Sequence, residues 1–418
     1  MPPAKILAAI AVFFALVCGG NNSNTATPKF AEATEILDSY RALGEHRSGT
    51  AVDAATSGWL VDELQARGID AVVQDWPLAL FQLRDSYLEI EDRRIDAFPF
   101  WYPIATGAAG LAAPLVMADG ATDDSMNGAI ALFRLPPGKF EVHYDAAPDL
   151  RLAATQGALA AVIIIDHPAK AVSAQNAVGP NHQIALPLPA LIAAEKDAEQ
   201  LLALAARRAD ARLIVDGHSQ RANAANVIAR IERGAKHWIV ISTPISGWFE
   251  ATNERGPGIA LWLQLAEWAS MSGLQSNVLF VGLSGHELDQ MGMEALINSG
   301  ELPNPDTVAM WLHLGSGIAV ENPLLSVVSS VSELNNIVDQ TLLANTAMTY
   351  WPEEKMPTGS EQYRAMQLGY PVVGLFGAGP TIHTRLDQAP RIDVIEYDRV
   401  YGALQQLVQR QITKATRQ

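Results

Sequence analysis

The sequence Asn277-Val-Leu-Phe-Val-Gly-Leu-Ser-Gly-His-Glu-Leu-Asp-Gln-Met-Gly292 decides the fold prediction for this chain of 418 residues. Residues 278–283 form an unbroken apolar run of strand length, which predicts a central strand covered on both faces of its sheet. Ser284 and Gly285 end the strand, and the ionisable residues His286 and Glu287 follow. Open α/β sheets bind ligands at such strand ends, so the stretch predicts a site as well as a strand.

Three further apolar runs lead into polar residues in the same way, at 238–242, 307–312 and 370–376. Glu254 lies in the loop after the first run, His313 directly follows the second, and His383 comes shortly after the third. Imidazole nitrogens and carboxylate oxygens are ligands for zinc and similar divalent metals. Their convergence at one edge of a sheet therefore predicts a metal site.

At these residues the chain resembles the co-catalytic zinc aminopeptidases, a family that includes secreted bacterial leucyl aminopeptidases, glutamate carboxypeptidase, glutaminyl cyclase and the catalytically inactive transferrin receptor ectodomain. The family's small-Ser-Gly turn corresponds to Gly256-Pro257-Gly258, its Ser-Gly-Glu-Glu motif to Ser284-Gly285-His286-Glu287, and its late His to His383. The order holds across roughly residues 225–418. The resemblance implies an α/β fold, a three-layer mixed-sheet aminopeptidase-like (phosphorylase/hydrolase-like) domain.

Several family positions carry different residues here. The His-x-Asp motif falls on Pro244-Ile245-Ser246, and a family Ser-Asp-His segment is Ser360-Glu361-Gln362. The bridging Asp corresponds to Glu254, the general-base Glu to His286, and the Asp ligand of the third strand to His313. One metal site has therefore lost its His and exchanged its Asp, so a paired di-zinc centre is not expected.

The other metal site keeps its three ligand positions. The resemblance implies one divalent metal, zinc in this family, held by Glu254, Glu287 and His383. His313 would be a fourth ligand or a group that orients the others. Glu250 is the alternative to Glu254 as the first carboxylate, because both lie between the strand and the helix that follows.

Two functions are compatible with these residues. In the family, the metal lowers the pKa of a bound water and the neighbouring Glu takes its proton. With His286 as base or electrophile, the chain would be a metal-dependent hydrolase acting on a peptide or amide bond. The alternative is a catalytically inactive pseudopeptidase that serves as a binding or scaffold protein.

Length and charge limit the remaining possibilities. A chain of this length exceeds one ordinary hydrophobic core, so two domains are expected. The 29 basic and 45 acidic residues give a net charge of −16, which argues against nucleic acid as a partner. The expected partner is a peptide or small amide substrate. The sequence leaves the oligomeric state open.

The first twenty residues resemble an export signal. Lys5 precedes an apolar run from 6 to 17, and Cys18, the only cysteine, follows it. The layout predicts either a lipoprotein signal with Cys18 lipidated, the only membrane attachment expected, or ordinary secretion with cleavage nearby. Both place the protein outside the cytoplasm, in the periplasm, outside the cell, or anchored to the envelope. With one cysteine the chain holds no internal disulfide.

The remaining chain divides into a main domain and an insert. Residues 30–77 and 224–418 are predicted to form the zinc-peptidase-like domain, with 71–74 as its first strand. Residues 78–223 contain short β-like runs separated by Pro and Gly, and they resemble the protease-associated domain that this family often carries as a lid or recognition module. Trp248, Phe249 and Trp351 would either line a pocket or pack in the core.

Overall fold

The computed structural model describes residues 29–118, 126–136, 146–177, 186–321, 325–351 and 360–417. The predicted export signal, including Cys18, lies outside these residues. Within the described ranges, no helix combines the length and the apolar character needed to cross a membrane.

The elements alternate between strands and helices along the chain. The strands in the described ranges are β1 Ala71–Ile90, β2 Arg93–Pro99, β3 Leu111–Met117, β4 Ile130–Arg134, β5 Ala160–Ile165, β6 Ala190–Ala194, β7 Asp210–Ile231, β8 Trp238–Pro244, β9 Asn277–Leu283, β10 Val308–Leu314, β11 Ser326–Ser329, β12 Thr349–Tyr350 and β13 Val372–Phe376. The α-helices there are α1 Lys29–Leu43, α2 Ala51–Ala66, α3 Ala146–Thr155, α4 Ala198–Ala206, α5 Thr252–Met271, α6 Met291–Ser299, α7 Ser332–Val338, α8 Glu361–Gln367 and α9 Val394–Ala415.

The main sheet is mixed, with the order β1-β7-β9-β8-β10-β13-β11-β12. Its centre, β9-β8-β10-β13, is parallel, and β9 is buried at every position, as its unbroken apolar sequence predicts. Side chains of α1, α5 and α9 pack on one face and those of α6 and α8 on the other. These three layers confirm the predicted α/β fold class.

The strands between β1 and β7 form a second β structure. The pairings run β1-β2-β6-β5-β4-β3-β7 and return to β1, so they close into a ring. Strands β3 to β6 are parallel to one another and the remaining pairs are antiparallel. This β ring contains the segment predicted to be the insert. Its relation to protease-associated domains stays a prediction.

The first strand is much longer than the sequence indicated. The prediction ended it at residue 74, but β1 continues to Ile90 through Pro77. The reason is its partner strand β7. The pairing runs from Ala71 opposite Ala229 to Ile90 opposite Ala211, so β7 supplies hydrogen bonds along the whole length of β1. The predicted domain boundaries at 77/78 and 223/224 both fall inside these two strands.

An aromatic cluster joins the β ring to the main domain. Trp248 and Phe249 follow β8 and are 1% and 3% exposed. They pack edge-to-face on Phe98, at centroid distances of 5.7 and 5.3 Å, and Trp248 also packs on Trp101. Of the two roles that the sequence left open for Trp248 and Phe249, the structure shows core packing. Trp351 is half-buried and packs against Phe376.

Candidate functional site

The carboxyl ends of the central parallel strands bring the predicted site residues to one edge of the sheet. Glu254 lies in the first turn of α5, which follows β8, and His313 lies near the end of β10. His286 and Glu287 form a 3-10 turn directly after β9. His383 lies beyond β13 in the segment that leads to α9.

The first turn of α5 is fixed from outside the helix. The Asp387 carboxylate accepts hydrogen bonds from the backbone N–H of Asn253 at 3.1 Å and of Glu254 at 3.0 Å. The helix thus receives a cap that its own N-terminal residue does not supply. A Cβ at Gly258 would lie 3.0 Å from Thr243 Oγ1, so only glycine lets this turn approach the end of β8 so closely.

The turn after β9 is held by buried hydroxyls. Gly285 has φ of 84°, a left-handed conformation that favours glycine, and its N–H donates to Ser48 Oγ at 2.8 Å and Ser246 Oγ at 3.0 Å. Ser284 Oγ donates to Asp53 Oδ1 at 2.7 Å. Burial raises the pKa of Asp53 to about 7. This network fixes the direction in which His286 and Glu287 leave the strand.

Arg255 lies at the centre of the site. Its Nη2 is 2.8 Å from Glu287 Oε1 and 3.0 Å from Glu254 Oε1, so one guanidinium nitrogen contacts both carboxylates. Its Nε donates to the backbone carbonyl of Ser246 at 2.7 Å, and Ser246 Oγ donates to Glu287 Oε2 at 2.6 Å. Arg255 is 1% exposed, and Glu254 and Glu287 are 2% exposed. The two predicted metal-ligand carboxylates thus share one buried side-chain cation.

The opposite charges of Arg255 and Glu254 each stabilise the ionised form of the other. Burial would lower the pKa of Arg255, but Glu254 and Glu287 outweigh it and raise that pKa. Burial would raise the pKa of Glu254, but Arg255 and then His383 outweigh it and hold that pKa below its usual range. Arg255 is therefore a permanent cation and Glu254 an anion at neutral pH.

His383 completes the cluster around Glu254. Its Nε2 is 3.2 Å from Glu254 Oε1, and its side chain is 20% exposed. Burial would lower its pKa, but the Glu254 carboxylate outweighs burial and raises it. His383 also has φ of 61°, a left-handed conformation that is uncommon for a residue with a side chain.

The other two predicted histidines belong to a second group. His286 Nδ1 lies 2.9 Å from Glu361 Oε1, and His313 Nε2 lies 3.7 Å from Glu361 Oε2. On its other side, His313 Nδ1 contacts Ser242 Oγ at 3.0 Å. Burial would raise the pKa of Glu361, but His286 outweighs it and lowers that pKa to about 2. Burial lowers the pKa of His313 to about 4, so that imidazole is neutral at neutral pH.

The observed arrangement does not fit a metal ion at the predicted ligands. Glu254 contacts His383, and Glu254 and Glu287 both contact Arg255, whose guanidinium lies between the two carboxylates. His313 faces Glu361 instead. Among the residues that the structure describes, no group of three or more His, Cys, Asp or Glu side chains has the arrangement of a metal site. Metal binding therefore stays a prediction from sequence.

The alternative carboxylate Glu250 lies apart from this cluster. Its Oε1 accepts a hydrogen bond from Gln388 Nε2 at 3.0 Å. Glu254, not Glu250, contacts Arg255 and His383. Asp387, four residues after His383, caps α5.

Sequence reasoning did not name Arg255, and it named Glu361 only as a changed family position, without a role. The signal for Arg255 was available: it is a cation in a helix whose other residues up to Ala266 are apolar, small or uncharged polar, apart from its neighbour Glu254. A charge in so buried a helix requires a charged partner. For Glu361 there was no such signal, because the sequence around it does not indicate a contact with His286, 75 positions earlier.

Comparison with solved structures supports the fold assignment. A peptidase precursor from Shewanella amazonensis has a TM-score of 0.75 and 18% identity, covering 91% of this chain and 92% of its own. A zinc aminopeptidase from Bacillus subtilis has a TM-score of 0.73 and 15% identity, covering 93% and 96%. An aminopeptidase from an Aneurinibacillus species has a TM-score of 0.64 and 19% identity, covering 90% and 93%.

These likenesses span almost the whole chain, β ring included, and they establish the aminopeptidase-like hydrolase fold. No family model matches the sequence, and no curated protein matches it either.

Proposed function

We propose that this chain is a peptidase-fold protein that binds peptides or amides at this site without a metal ion and without cleaving them, that is, a pseudopeptidase. One observation carries the proposal: Arg255 Nη2 lies within 3.0 Å of both Glu254 and Glu287. A cation is needed between two buried carboxylates, and the guanidinium supplies it.

Charge balance supports this proposal. A zinc ion at the same place would lie beside a permanently charged guanidinium in a buried environment, where like charges repel strongly. Zinc could enter only if Arg255 left both carboxylates, and an unpaired buried guanidinium is costly. The residues present therefore favour the arrangement without metal. The general-base position also holds His286 in place of a carboxylate.

The proposed ligand class is taken from the similar solved structures. The similar solved structures are named as aminopeptidases and a peptidase, proteins that act on peptides. His286 and His383 remain 18% and 20% exposed above the buried charges, so they are the groups that a ligand would meet. We extend the ligand class, but not the cleavage, to this chain.

The test combines metal content, cleavage and binding on one preparation of the full chain. Metal is measured by mass spectrometry after incubation with zinc and removal of excess. A pool of random tetrapeptides and aminoacyl p-nitroanilides are then assayed for cleavage, and retention of the pool is measured by ultrafiltration. We expect no stoichiometric metal, no cleavage and selective retention.

A matched pair of variants links retention to the site. His286→Ala with His383→Ala should reduce retention at least tenfold, whereas His218→Ala, on the exposed part of β7, should not change it. One zinc per chain together with peptide cleavage would replace the proposal with a metallopeptidase. Absence of retention would exclude peptide binding.

A metal-independent hydrolase is the second candidate, and the contact of 2.9 Å between His286 and the buried Glu361 favours it. A carboxylate in contact with a partly exposed imidazole fixes the orientation of that imidazole, as a general base requires. Cleavage that persists in EDTA and is lost in His286→Ala would establish this candidate over the first.

A further inference from the structure

A segment of the β ring lies across the candidate site. This strap, residues 173–177, belongs to the connection after β5 and meets two segments of the main domain. Ser173 forms an isolated antiparallel bridge with Thr384, and the Ala174 N–H donates to the His383 carbonyl at 2.8 Å. The Ala177 N–H donates to the Glu287 carbonyl, also at 2.8 Å.

The anchors of the strap are the chain positions that carry the site. His383 and Glu287 direct their side chains to Arg255 or Glu254, while their backbone carbonyls accept the strap. The strap therefore connects the two sides of the site. A side-chain bond holds it as well, since Trp248 Nε1 donates to Asn176 Oδ1 at 2.8 Å.

The strap has the properties of a bound peptide. It forms one isolated antiparallel bridge and two main-chain hydrogen bonds with turns of the main domain, and extended peptides are bound through main-chain bonds of the same kind. Ser173, Ala174, Gln175 and Ala177 are each 3% exposed or less. Three of these four are small residues, so the surface that they contact accommodates an extended chain with small side chains.

We propose that the backbone edge at Glu287 and His383–Thr384 is a docking site for an extended peptide with small side chains, and that the strap occupies this edge until such a peptide displaces it. The inference rests on the proposed peptide-binding function and adds where the peptide lies and what competes with it. Main-chain bonds do not depend on the identity of the side chains, so a peptide in trans can replace each one that the strap makes.

A reversible lock tests the competition. In full-length protein with Cys18→Ser, the double substitution Ser173→Cys and Thr384→Cys places two thiols at paired positions of an antiparallel bridge, where a disulfide can form. Ala79→Cys with Arg221→Cys, a cross-strand pair of exposed residues on β1 and β7, is the matched control lock. The probe is a fluorescein-labelled peptide of the strap sequence, Val-Ser-Ala-Gln-Asn-Ala. Fluorescence anisotropy measures its binding to the protein.

We expect the reduced strap variant to bind the probe and its oxidised form to bind at least tenfold more weakly, with full recovery on reduction. The control lock should bind equally in both redox states. Equal binding by the oxidised and reduced strap variants would overturn the inference, because the peptide would then lie elsewhere.

A second pair of variants opens the strap without a disulfide. Ala174→Pro with Ala177→Pro removes both backbone donors, whereas Ala174→Gly with Ala177→Gly keeps them. Loss of two main-chain hydrogen bonds from the closed form should strengthen probe binding roughly tenfold or more in the proline variant relative to the glycine variant.

Two negative results have different meanings. Failure of every form to bind the probe, with tetrapeptide retention intact, would overturn the strap inference alone. Loss of tetrapeptide retention from the wild-type chain would overturn the proposed function itself.

Discussion

At the scale of single residues, Arg255 decides the chemistry of the site. Its guanidinium contacts two carboxylates that the sequence predicted as metal ligands, and none of the three side chains is more than 2% exposed. Ion pairs this deeply buried are destabilising when one partner is removed, because a charge is then left unpaired. If Arg255 were removed, Glu254 and Glu287 could bind an external cation in its place.

We predict that Arg255→Asn creates a zinc site. Without metal the variant should lose about 3–5 kcal/mol of unfolding free energy, because Glu254 and Glu287 lose their cation. Zinc at about a hundred times its Kd should restore about 2.7 kcal/mol, since Glu254, Glu287 and His383 provide three ligands. Thermal denaturation with zinc and with EDTA measures both effects.

Arg255→Lys is the matched control for that prediction. It keeps a cation at the same place, so zinc should not change its melting temperature. Circular dichroism of both variants verifies that each is folded. Equal stabilisation of the wild type by zinc would contradict the assignment of Arg255 as the resident cation.

His46 gives a prediction for pH dependence. It is fully buried, stacks on Tyr40, and hydrogen-bonds to Thr56 through Nδ1. Burial lowers its pKa from 6.5 to about 3. In the unfolded chain this histidine takes up a proton near pH 6.5, but in the folded chain it does not. It therefore favours unfolding increasingly as the pH falls from about 6.5 to 3.

We expect His46→Gln to reduce the slope of stability against pH in that window. The wild-type histidine contributes up to about 1.4 kcal/mol per pH unit there, and the variant contributes none. Urea unfolding at pH 7, 6, 5 and 4 measures the slope. His218→Gln, at an exposed position, should keep the wild-type slope, and an unchanged slope in His46→Gln would refute the explanation.

At the scale of elements, the turn after β9 controls the direction of His286 and Glu287. Gly285 combines φ of 84° with close neighbours: a Cβ there would lie 2.9 Å from the Trp76 ring and 3.0 Å from the backbone N of Gly292. Gly300, after α6, has a similar φ of 76° but no atom within 4 Å of its added Cβ. A comparison of alanine substitutions at these two glycines therefore separates the cost of backbone strain from the cost of steric overlap.

We predict that Gly300→Ala costs about 1 kcal/mol, from the left-handed backbone alone, and that Gly285→Ala costs about 3 kcal/mol because overlap adds to it. Urea unfolding midpoints measure both. Gly285→Ala should also weaken tetrapeptide retention, whereas Gly300→Ala should not. Equal costs for the two variants would mean that the space around Gly285 adjusts freely.

At the scale of the whole molecule, the β ring and the main domain share covalent and packing connections. Strands β1 and β7 run through both, and the aromatic cluster of Phe98, Trp101, Trp248 and Phe249 lies between them. The strap adds main-chain hydrogen bonds directly over the site. These connections predict that the β ring and the main domain unfold together.

We predict that the wild-type chain unfolds in one calorimetric transition and that Trp248→Ala separates it into two. The substitution should cost about 3–5 kcal/mol and remove the bond to Asn176. Trp262→Ala, at an equally buried position in the main core, should lower the melting temperature but keep one transition. Two transitions in the wild type would contradict this coupling.

Much of the fold follows from local sequence. The apolar runs at β8, β9, β10 and β13 predicted buried parallel strands because only a sheet covered on both faces accommodates them. Their order, with the motif Ser284-Gly285-His286-Glu287, carries the resemblance to the zinc aminopeptidases, and that resemblance implied the aminopeptidase-like architecture. The same apolar runs predicted that Glu254, Glu287 and His383 lie near one edge of the sheet. The length of β1 was missed because it depends on pairing with β7.

The sequence by itself thus determined which segments form the buried central strands, since these depend on hydrophobic patterns within short segments, and its motifs carried the family resemblance that implied the layers of the fold. The tertiary structure alone decided that Arg255 lies between Glu254 and Glu287, that Glu361 meets His286, and that the strap pairs with His383 and Thr384. Each of these contacts joins residues on separate elements or fixes a side-chain direction. Electrostatic pairing in a buried site depends on distances of a few ångströms, and only the packed chain sets those distances.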